Sequence, residues 1–202
     1  MTITTSDPSL DNADSRSRRL KALTHETHDR LDKSIMAADP FGSVEGYTRF
    51  LGVQHRFHRD IDALYNDPGL RALLPGLAER RRLGLVAADL ADLRADAPAG
   101  DTPPFFTPDT VDTATALGWL YVAEGSNMGA ALLRKMAEKL GLSDTFGARH
   151  LAPAPEGPAA HWRTFTASLD AATLAPEQEA RAVAGAQTAF ARVQQYVDTA
   201  FA

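Results

Sequence analysis

Two pairs of histidines are the first residues in the sequence whose type and spacing could do chemistry. His25 and His28 lie three residues apart, as do His55 and His58, so each pair would share one turn of a helix. Such a pair can chelate a metal ion. A carboxylate-bridged two-metal bundle carries Glu-x-x-His motifs on two helices, however, and the sequence contains none. The pattern therefore disfavours a two-metal carboxylate site.

One histidine has a particularly informative neighbour. Asp32 follows His28 by four residues, which places both on one helix face a turn apart. A carboxylate there can hold Nδ1–H, directly or through water, and leaves Nε2 free and more basic for a metal. A histidine of this kind is a common proximal ligand of haem iron. The alternative is a surface pair of small energetic value.

The stretch 118–135, GWLYVAEGSNMGAALLRK, is predicted to be helical although it holds three glycines. A glycine inside a helix costs roughly 1 kcal/mol relative to alanine, so three of them need a reason. Gly118, Gly125 and Gly129 are separated by seven and four residues, which predicts that they share one helix face without side chains. Such a face allows either a tight crossing with another helix or a flat ligand lying against the backbone.

Together, the two features favour a planar ligand held between two helices. His28 would supply an axial ligand, and the glycine face would leave room for a macrocycle. Lys21 precedes His28 by seven residues, about 10 Å along the helix, which suits a partner for a haem propionate. Tyr121 could supply a hydroxyl donor.

The elements that must position these residues are predicted to be helices, because apolar and polar residues nowhere alternate as in a strand. The expected fold class is all-α. Helices are predicted over about 15–37, 43–65, 76–94, 110–140, 159–172 and 177–201, with a short helical piece over 143–150. Arg80, Arg81 and Arg82 in the third helix are predicted to form a solvated basic face.

Composition limits the classes of function. The 202 residues suffice for one domain over 15–202 after a flexible tail over 1–14. The net charge of −5 gives no case for binding nucleic acid, and no apolar run is long enough to span a bilayer. The N-terminus lacks the apolar core of a secretory signal, and there are no cysteines. We therefore expect a cytoplasmic protein that partners neither nucleic acid nor membrane.

The sequence resembles the haem oxygenases, in particular the bacterial biliverdin-producing ones, at two stretches. Residues 20–32, LKALTHETHDRLD, look like the proximal helix of that family, in which a threonine precedes the ligand histidine by four. Thr24 stands in that position, so the resemblance makes His28 the expected iron ligand rather than His25. Residues 125–129, GSNMG, look like the distal helix, whose paired glycines lie over the haem. The resemblance extends from about residue 15 to the C-terminus.

The resemblance implies a fold and a reaction. The fold would be a single-domain helical bundle that holds haem b between a proximal and a distal helix. The reaction would be the cleavage of haem to biliverdin, CO and Fe²⁺, with O2 and an external electron donor such as a ferredoxin or a reductase. Haem b would be both substrate and cofactor.

The resemblance also implies roles for individual residues. His28 would bind the iron, and Lys21 and Tyr121 would bind the propionates, which favours the α isomer of biliverdin. Bare backbone at Gly125 and Gly129 would bind the haem and steer oxidation along its plane. The implied catalytic set is Gly125, Ser126, Asn127, Gly129, His58 and Arg82. Gln54 and Trp162 resemble further members of a distal water network, which Asp32 would join if it does not hold His28.

Several alternatives remain open at this stage. The chain could be a haem carrier or sensor of the same fold without catalysis. It could also be a different enzyme of the same fold, such as a thiamin-degrading hydrolase or a cofactor-biosynthesis oxidase, although the thiamin enzymes rely on a cysteine nucleophile, which is absent. A helical interaction protein without a ligand would explain the glycines by packing alone. For the electron donor, Arg18, Arg19 and Lys21 with the arginines of 80–82 are expected either to form a basic rim for an acidic partner or to be simply solvated.

Overall fold

The computed structural model describes residues 15–100 and 102–202, and these form a helical bundle without a named strand. The all-α prediction is confirmed, whereas the predicted tail over 1–14 lies outside the described residues. No helix in these ranges is both long and apolar enough to cross a bilayer. The α-helices are α1 (Arg16–Ala37), α2 (Val44–Asp60), α3 (Pro68–Leu73), α4 (Leu83–Asp92), α5 (Thr113–Ser126), α6 (Ala130–Glu138), α7 (Pro158–Ala171) and α8 (Pro176–Phe201).

The bundle is organised around α8, whose most extensive contacts are with α5, α1 and α2. Two glycines allow α5 and α8 to meet backbone to backbone. A Cβ atom on Gly118 would lie 2.0 Å from the carbonyl oxygen of Ala182, and one on Gly185 would lie 2.4 Å from that of Thr115. Because side chains cannot occupy such distances, helix packing accounts for Gly118.

Helix α1 runs beside α8 in the same direction. Near its start, Arg16 pairs with Glu179 at 2.7 Å, close to the start of α8. Further along, the ring of His28 meets the ring of Phe190 edge-on, with centroids 5.8 Å apart. The middle of α1 therefore lies beside the second half of α8.

Helix α5 also starts near the start of α8. Asp112 caps α5 by accepting a hydrogen bond from the backbone N–H of Thr115, and it pairs with Arg181 at 3.2 Å. The end of α7 contacts the start of α1, whereas the start of α7 contacts the last turn of α5, which carries Gly125. The last turn of α5 therefore lies towards the same end of the bundle as the second half of α1, which carries His28. This arrangement positions the two motifs at one end of the bundle.

The predicted helix over 110–140 is in fact two helices, so that prediction was wrong. After α5, the backbone hydrogen bonds tighten from i→i−4 to i→i−3: the N–H groups of Asn127, Met128 and Gly129 bond to the carbonyls three residues earlier at 3.0–3.3 Å. Helix α6 then begins at Ala130. Gly129 consequently lies in the break and not on a continuous face with Gly118, which corrects the single three-glycine face.

Other boundaries agree in part. The predictions for α1, α7 and α8 are confirmed to within about two residues, and Ser43 caps α2 by accepting from the N–H of Gly46. The predicted helix over 76–94 is reduced to α4 and a 3-10 turn, and α3 was not predicted. Three short 3-10 segments occur within the described ranges, and one of them replaces the predicted helix over 143–150: Asp62–Asn66, Ala78–Arg80 and Arg149–Leu151.

Candidate functional site

The two histidines of α1 are oriented differently. The Nδ1 atom of His28 lies 3.4 Å from the carboxylate of Asp32, so its Nε2 faces away from that partner. In His25 it is Nε2 that lies 3.5 Å from a carboxylate, that of Asp29. Both side chains are more than half exposed, His28 at 54%. The described ranges contain no group of three or more metal-binding side chains, so a metal at His28 would need to bring its other ligands with it.

The last turn of α5 and the break that follows it, residues 125–129, form what we call the glycine break, and this segment presents bare backbone. A Cβ atom on Gly125 would meet only the edge of the Trp162 ring at 3.6 Å, and one on Gly129 would meet only the carbonyl oxygen of Ser126 at 3.7 Å. Both are ordinary van der Waals distances, in contrast to the 2.0 Å at Gly118. Protein packing therefore accounts for Gly118 but leaves the absence of side chains at Gly125 and Gly129 unexplained.

Apolar surface and a phenol adjoin the break. Met128 and Leu132 are exposed although they are large and apolar. Tyr121 is buried with its ring centroid 5.5 Å from that of Trp162, and burial raises the pKa of its hydroxyl. That hydroxyl makes no hydrogen bond to any residue the structure describes and stays a neutral donor. Lys21 is exposed on α1. Met128 and Leu132 offer matching surface for a flat apolar molecule, and the Tyr121 hydroxyl offers a donor for an anionic group.

A buried polar cluster joins α2 to the segment before α7. Burial, and then the charges of His150 and Arg82, lower the pKa of His58 to about 3, so this imidazole is neutral. Arg82 donates to the carbonyl oxygen of His150, whose Nδ1 lies 2.8 Å from the buried carboxylate of Asp89. Nδ1 of His58 and Nε2 of His150 are buried without a hydrogen-bond partner among the residues that the structure describes. Such atoms are usually satisfied by ordered water.

The three consecutive arginines are not a solvated basic face, so that prediction was wrong. Arg80 is 8% exposed and bonds to Glu124 at 2.7 Å. Arg82 points inward, and burial lowers its pKa. Only Arg81 is exposed, and it bonds to Asp62 through two nitrogens. Tertiary packing thus gives each of three identical side chains a different environment.

Of the remaining predicted residues, Ser126 and Asn127 lie at the glycine break, whereas Gln54 lies on α2. The Ser126 hydroxyl donates to the carbonyl oxygen of Ala123 at 2.7 Å. Asn127 has a buried side-chain nitrogen that bonds to nothing within residues 15–100 and 102–202, and Gln54 is half-buried on α2. Asn127 and Arg82 line the same cavity of about 40 Å³, together with His161. That volume admits water, so the cavity links the glycine break to the buried polar cluster.

Sequence reasoning missed Asp89, His150, Glu124 and Arg80. Their partners are 44 or 61 residues away in the chain, so no local motif reveals them. A weaker signal was present. Glu124 is the only charged residue of α5, and Asp89 directly precedes Leu90 on the buried face of α4. A charged residue in an apolar setting predicts a buried partner.

The chain is similar to several known proteins along its sequence. A family model described as "Heme oxygenase" matches residues 107–199. Heme oxygenase PigA of Pseudomonas aeruginosa is 43% identical over 187 residues, which is 93% of each chain. A heme oxygenase of Xanthomonas campestris is 30% identical over 148 residues, 73% of this chain and 86% of the relative.

Solved structures agree with these relatives. The NO- and CO-bound heme oxygenase of Neisseria meningitidis superposes with a TM-score of 0.87 at 41% identity, over 93% of this chain and 92% of that one. Heme oxygenase from Leptospira interrogans shares the fold at 15% identity and a TM-score of 0.71 over 92% of this chain and all of the other. With the two motifs at one end of the bundle and a 43% identical relative over most of its length, the chain belongs to the haem oxygenase family.

Proposed function

We propose that the protein cleaves haem to biliverdin, CO and Fe²⁺ with O2 and electrons from an external donor. The observation that carries this proposal is the bare backbone of Gly125 and Gly129, where an added Cβ atom would meet only ordinary van der Waals contacts of 3.6–3.7 Å with the described residues, at the same end of the bundle as His28. The 43% identity to a heme oxygenase over 93% of the chain supports it.

The residues present suit haem as the bound molecule. His28 would bind the iron through Nε2, because Asp32 lies beside Nδ1 at 3.4 Å and orients the ring. Lys21 and the neutral hydroxyl of Tyr121 would hold the propionates. Met128 and Leu132, both exposed, would cover apolar surface of the macrocycle. A fixed orientation of the propionates would favour cleavage at the α position.

Bound haem supplies the site for O2 activation and is also the molecule that is oxidised. The residues of this chain would limit the space around that site and would hold water near it. Backbone at Gly125 and Gly129 allows close approach while excluding bulk water. Asn127 and Arg82 line a shared cavity of about 40 Å³, which is large enough for water, and their side chains would hold water there. His58 does not line that cavity, but its imidazole, kept neutral by burial, can both accept and donate a hydrogen bond, so it is suited to pass a proton through a water at its Nδ1 and not to supply charge.

The electron donor is proposed to be an acidic carrier or reductase that docks on basic surface. Of the arginines and lysine first considered, Arg18, Lys21 and Arg81 are exposed, whereas Arg80 and Arg82 are held inside by their partners. Arg19 forms a salt bridge with Glu179 at 2.6 Å, so its charge is already paired. We also propose that the protein is cytoplasmic and that residues 15–202 form one functional domain.

The test is to add hemin to the purified protein and then to supply ascorbate or a reductase in air. Binding should sharpen and shift the Soret band, and turnover should replace it with the absorption of a bile pigment. A sharp Soret band that persists through many equivalents of reductant would instead support a carrier or sensor.

A further inference from the structure

Glu124 is a buried charge in the last turn of α5, immediately before Gly125. It is 3% exposed, and its carboxylate accepts a hydrogen bond from Nη1 of Arg80 at 2.7 Å. Nε2 of His161, on the first turn of α7, lies 3.5 Å from the same carboxylate oxygen. A guanidinium and an imidazole from different segments thus converge on the last turn of α5.

Arg80 also bonds to α7. Its Nη2 donates to the backbone carbonyl of His161 at 3.1 Å, and its guanidinium lies 5.5 Å from the ring centroid of Phe165. The residue after His161 is Trp162, whose ring edge would lie 3.6 Å from a Cβ atom on Gly125. Arg80 therefore connects α7 to α5 at the point where Trp162 supports the backbone of Gly125.

Stability alone is a weak reason for this pair. Desolvating two charges costs about as much as their attraction returns, and apolar residues of the same volume often stabilise a core equally well. A guanidinium between a carboxylate and a carbonyl is instead suited to fixing relative position, because its donors are planar and directional. The elements whose relative position it fixes are α5 and α7, which meet at Gly125.

We propose that Glu124 is a positioning residue of the haem pocket, which with Arg80 and His161 holds Trp162 against the turn that carries Gly125. This inference rests on the proposed function, because Gly125 is taken to lie over the haem. Glu124 itself acts through the backbone and through Trp162 and does not touch the substrate. It would set how closely the bare backbone approaches the macrocycle.

The first experiment uses the protein without haem. In a Trp119→Phe background Trp162 is the only tryptophan of the chain. Phe keeps the ring stacking of Trp119 on Phe57 and removes an Nε1 that has no hydrogen-bond partner in the described part of the chain. Glu124→Gln should raise the acrylamide quenching of Trp162 and shift its emission to the red. The matched control is Glu179→Gln, which disturbs another arginine–glutamate pair, that with Arg16 at the far end of α1, and should leave both signals unchanged.

The second experiment uses the haem complex. Glu124→Gln should weaken haem binding by about two- to thirtyfold and change the ratio of bilin isomers, whereas Glu179→Gln should change neither. Arg80→Lys, which keeps the charge but cannot reach both the carboxylate and the carbonyl, should give a smaller change in the same direction. If Glu124→Gln does not fold, Arg80→Lys replaces it in both the quenching and the haem-binding experiments.

The outcomes separate this inference from the proposed function. Unchanged quenching of Trp162 in Glu124→Gln would overturn the positioning role, whatever the protein does to haem. If Glu124→Gln does not fold, unchanged quenching in Arg80→Lys would overturn it. Wild-type protein that binds haem but forms no bile pigment would overturn the proposed function, and the quenching experiment would still decide the role of Glu124.

Discussion

Gly118 of α5 and Gly185 of α8 lie at the crossing of these two helices, where a Cβ atom on either would come within 2.4 Å of backbone atoms of the other helix. Gly125, seven residues after Gly118, meets only the edge of a tryptophan ring at 3.6 Å. Glycines on the same helix therefore have different reasons to be glycine. One permits packing, and the other leaves backbone free for a ligand.

Alanine substitution should separate these two reasons. Gly118→Ala should destabilise the fold by about 3 kcal/mol or more, because backbone of α8 must move to make room. Gly125→Ala should leave the free energy of unfolding within about 1 kcal/mol of wild type, since alanine favours helix and the space is available. Haem affinity should nevertheless fall in Gly125→Ala. Urea denaturation with hemin titration measures both, and equal losses of stability would contradict the assignment.

Replacing the two histidines of α1 should identify the iron ligand. His28→Ala should lose the axial ligand and nearly all turnover, because only His28 keeps Nε2 away from a carboxylate. His25→Ala, a matched control on the same exposed helix, should retain both. Ligand-field bands of the ferric complex and bile pigment yield provide the measurements. Equal loss in both variants would show that the ligand has been wrongly chosen.

The buried His58 should make the protein without haem sensitive to acid. Its folded-state pKa of about 3 lies below the ordinary value near 6.5, so below that ordinary value the unfolded chain binds a proton that the folded chain does not. The free energy of unfolding should therefore fall as the pH drops from about 6.5 towards 3, by up to about 1.4 kcal/mol per pH unit from this group.

A variant checks that sign. His58→Phe cannot titrate, so its free energy of unfolding should depend less steeply on pH between about 6 and 4 than that of wild type. His25→Ala, which removes an exposed histidine, should keep the wild-type slope. Denaturant unfolding at a series of pH values gives the slopes, and parallel curves for His58→Phe and wild type would refute the buried neutral state.

His161 should show the opposite dependence. Contact with Glu124 raises its pKa, with partial burial and Arg80 opposing and Glu156 reinforcing the shift. The stabilisation that protonated His161 contributes is then fully present below about pH 6.5 and is lost as the pH rises through the raised folded-state pKa. The stability difference between wild type and His161→Gln should accordingly be larger at pH 5.5 than at pH 9. A difference that grows with pH would contradict the contact.

Helix boundaries that depend on local sequence could be predicted, whereas those that depend on tertiary contacts could not. The long amphipathic pattern of α1 and the Pro176 start of α8 are local, so their boundaries follow from sequence. The break at 127–129 was missed because a helix tolerates each glycine singly, and only the tightened hydrogen bonds end it.

The environments of individual side chains were least predictable. Arg80, Arg81 and Arg82 are identical in sequence terms, yet one bonds to α5, one to Asp62 and one to the backbone of His150. The Asp89–His150 pair spans 61 residues. Such pairs exist only after the chain has folded, so a single sequence carries almost no trace of them.

The central claim is that this protein opens haem at the bare backbone between α5 and α6. The most direct measurement is aerobic turnover of the hemin complex with an electron donor, in the presence of catalase so that free peroxide cannot bleach the haem. The account predicts loss of the Soret band together with release of CO and a biliverdin, mainly the α isomer, on chromatography. A Soret band that persists, or that bleaches without CO and bile pigment, would contradict it.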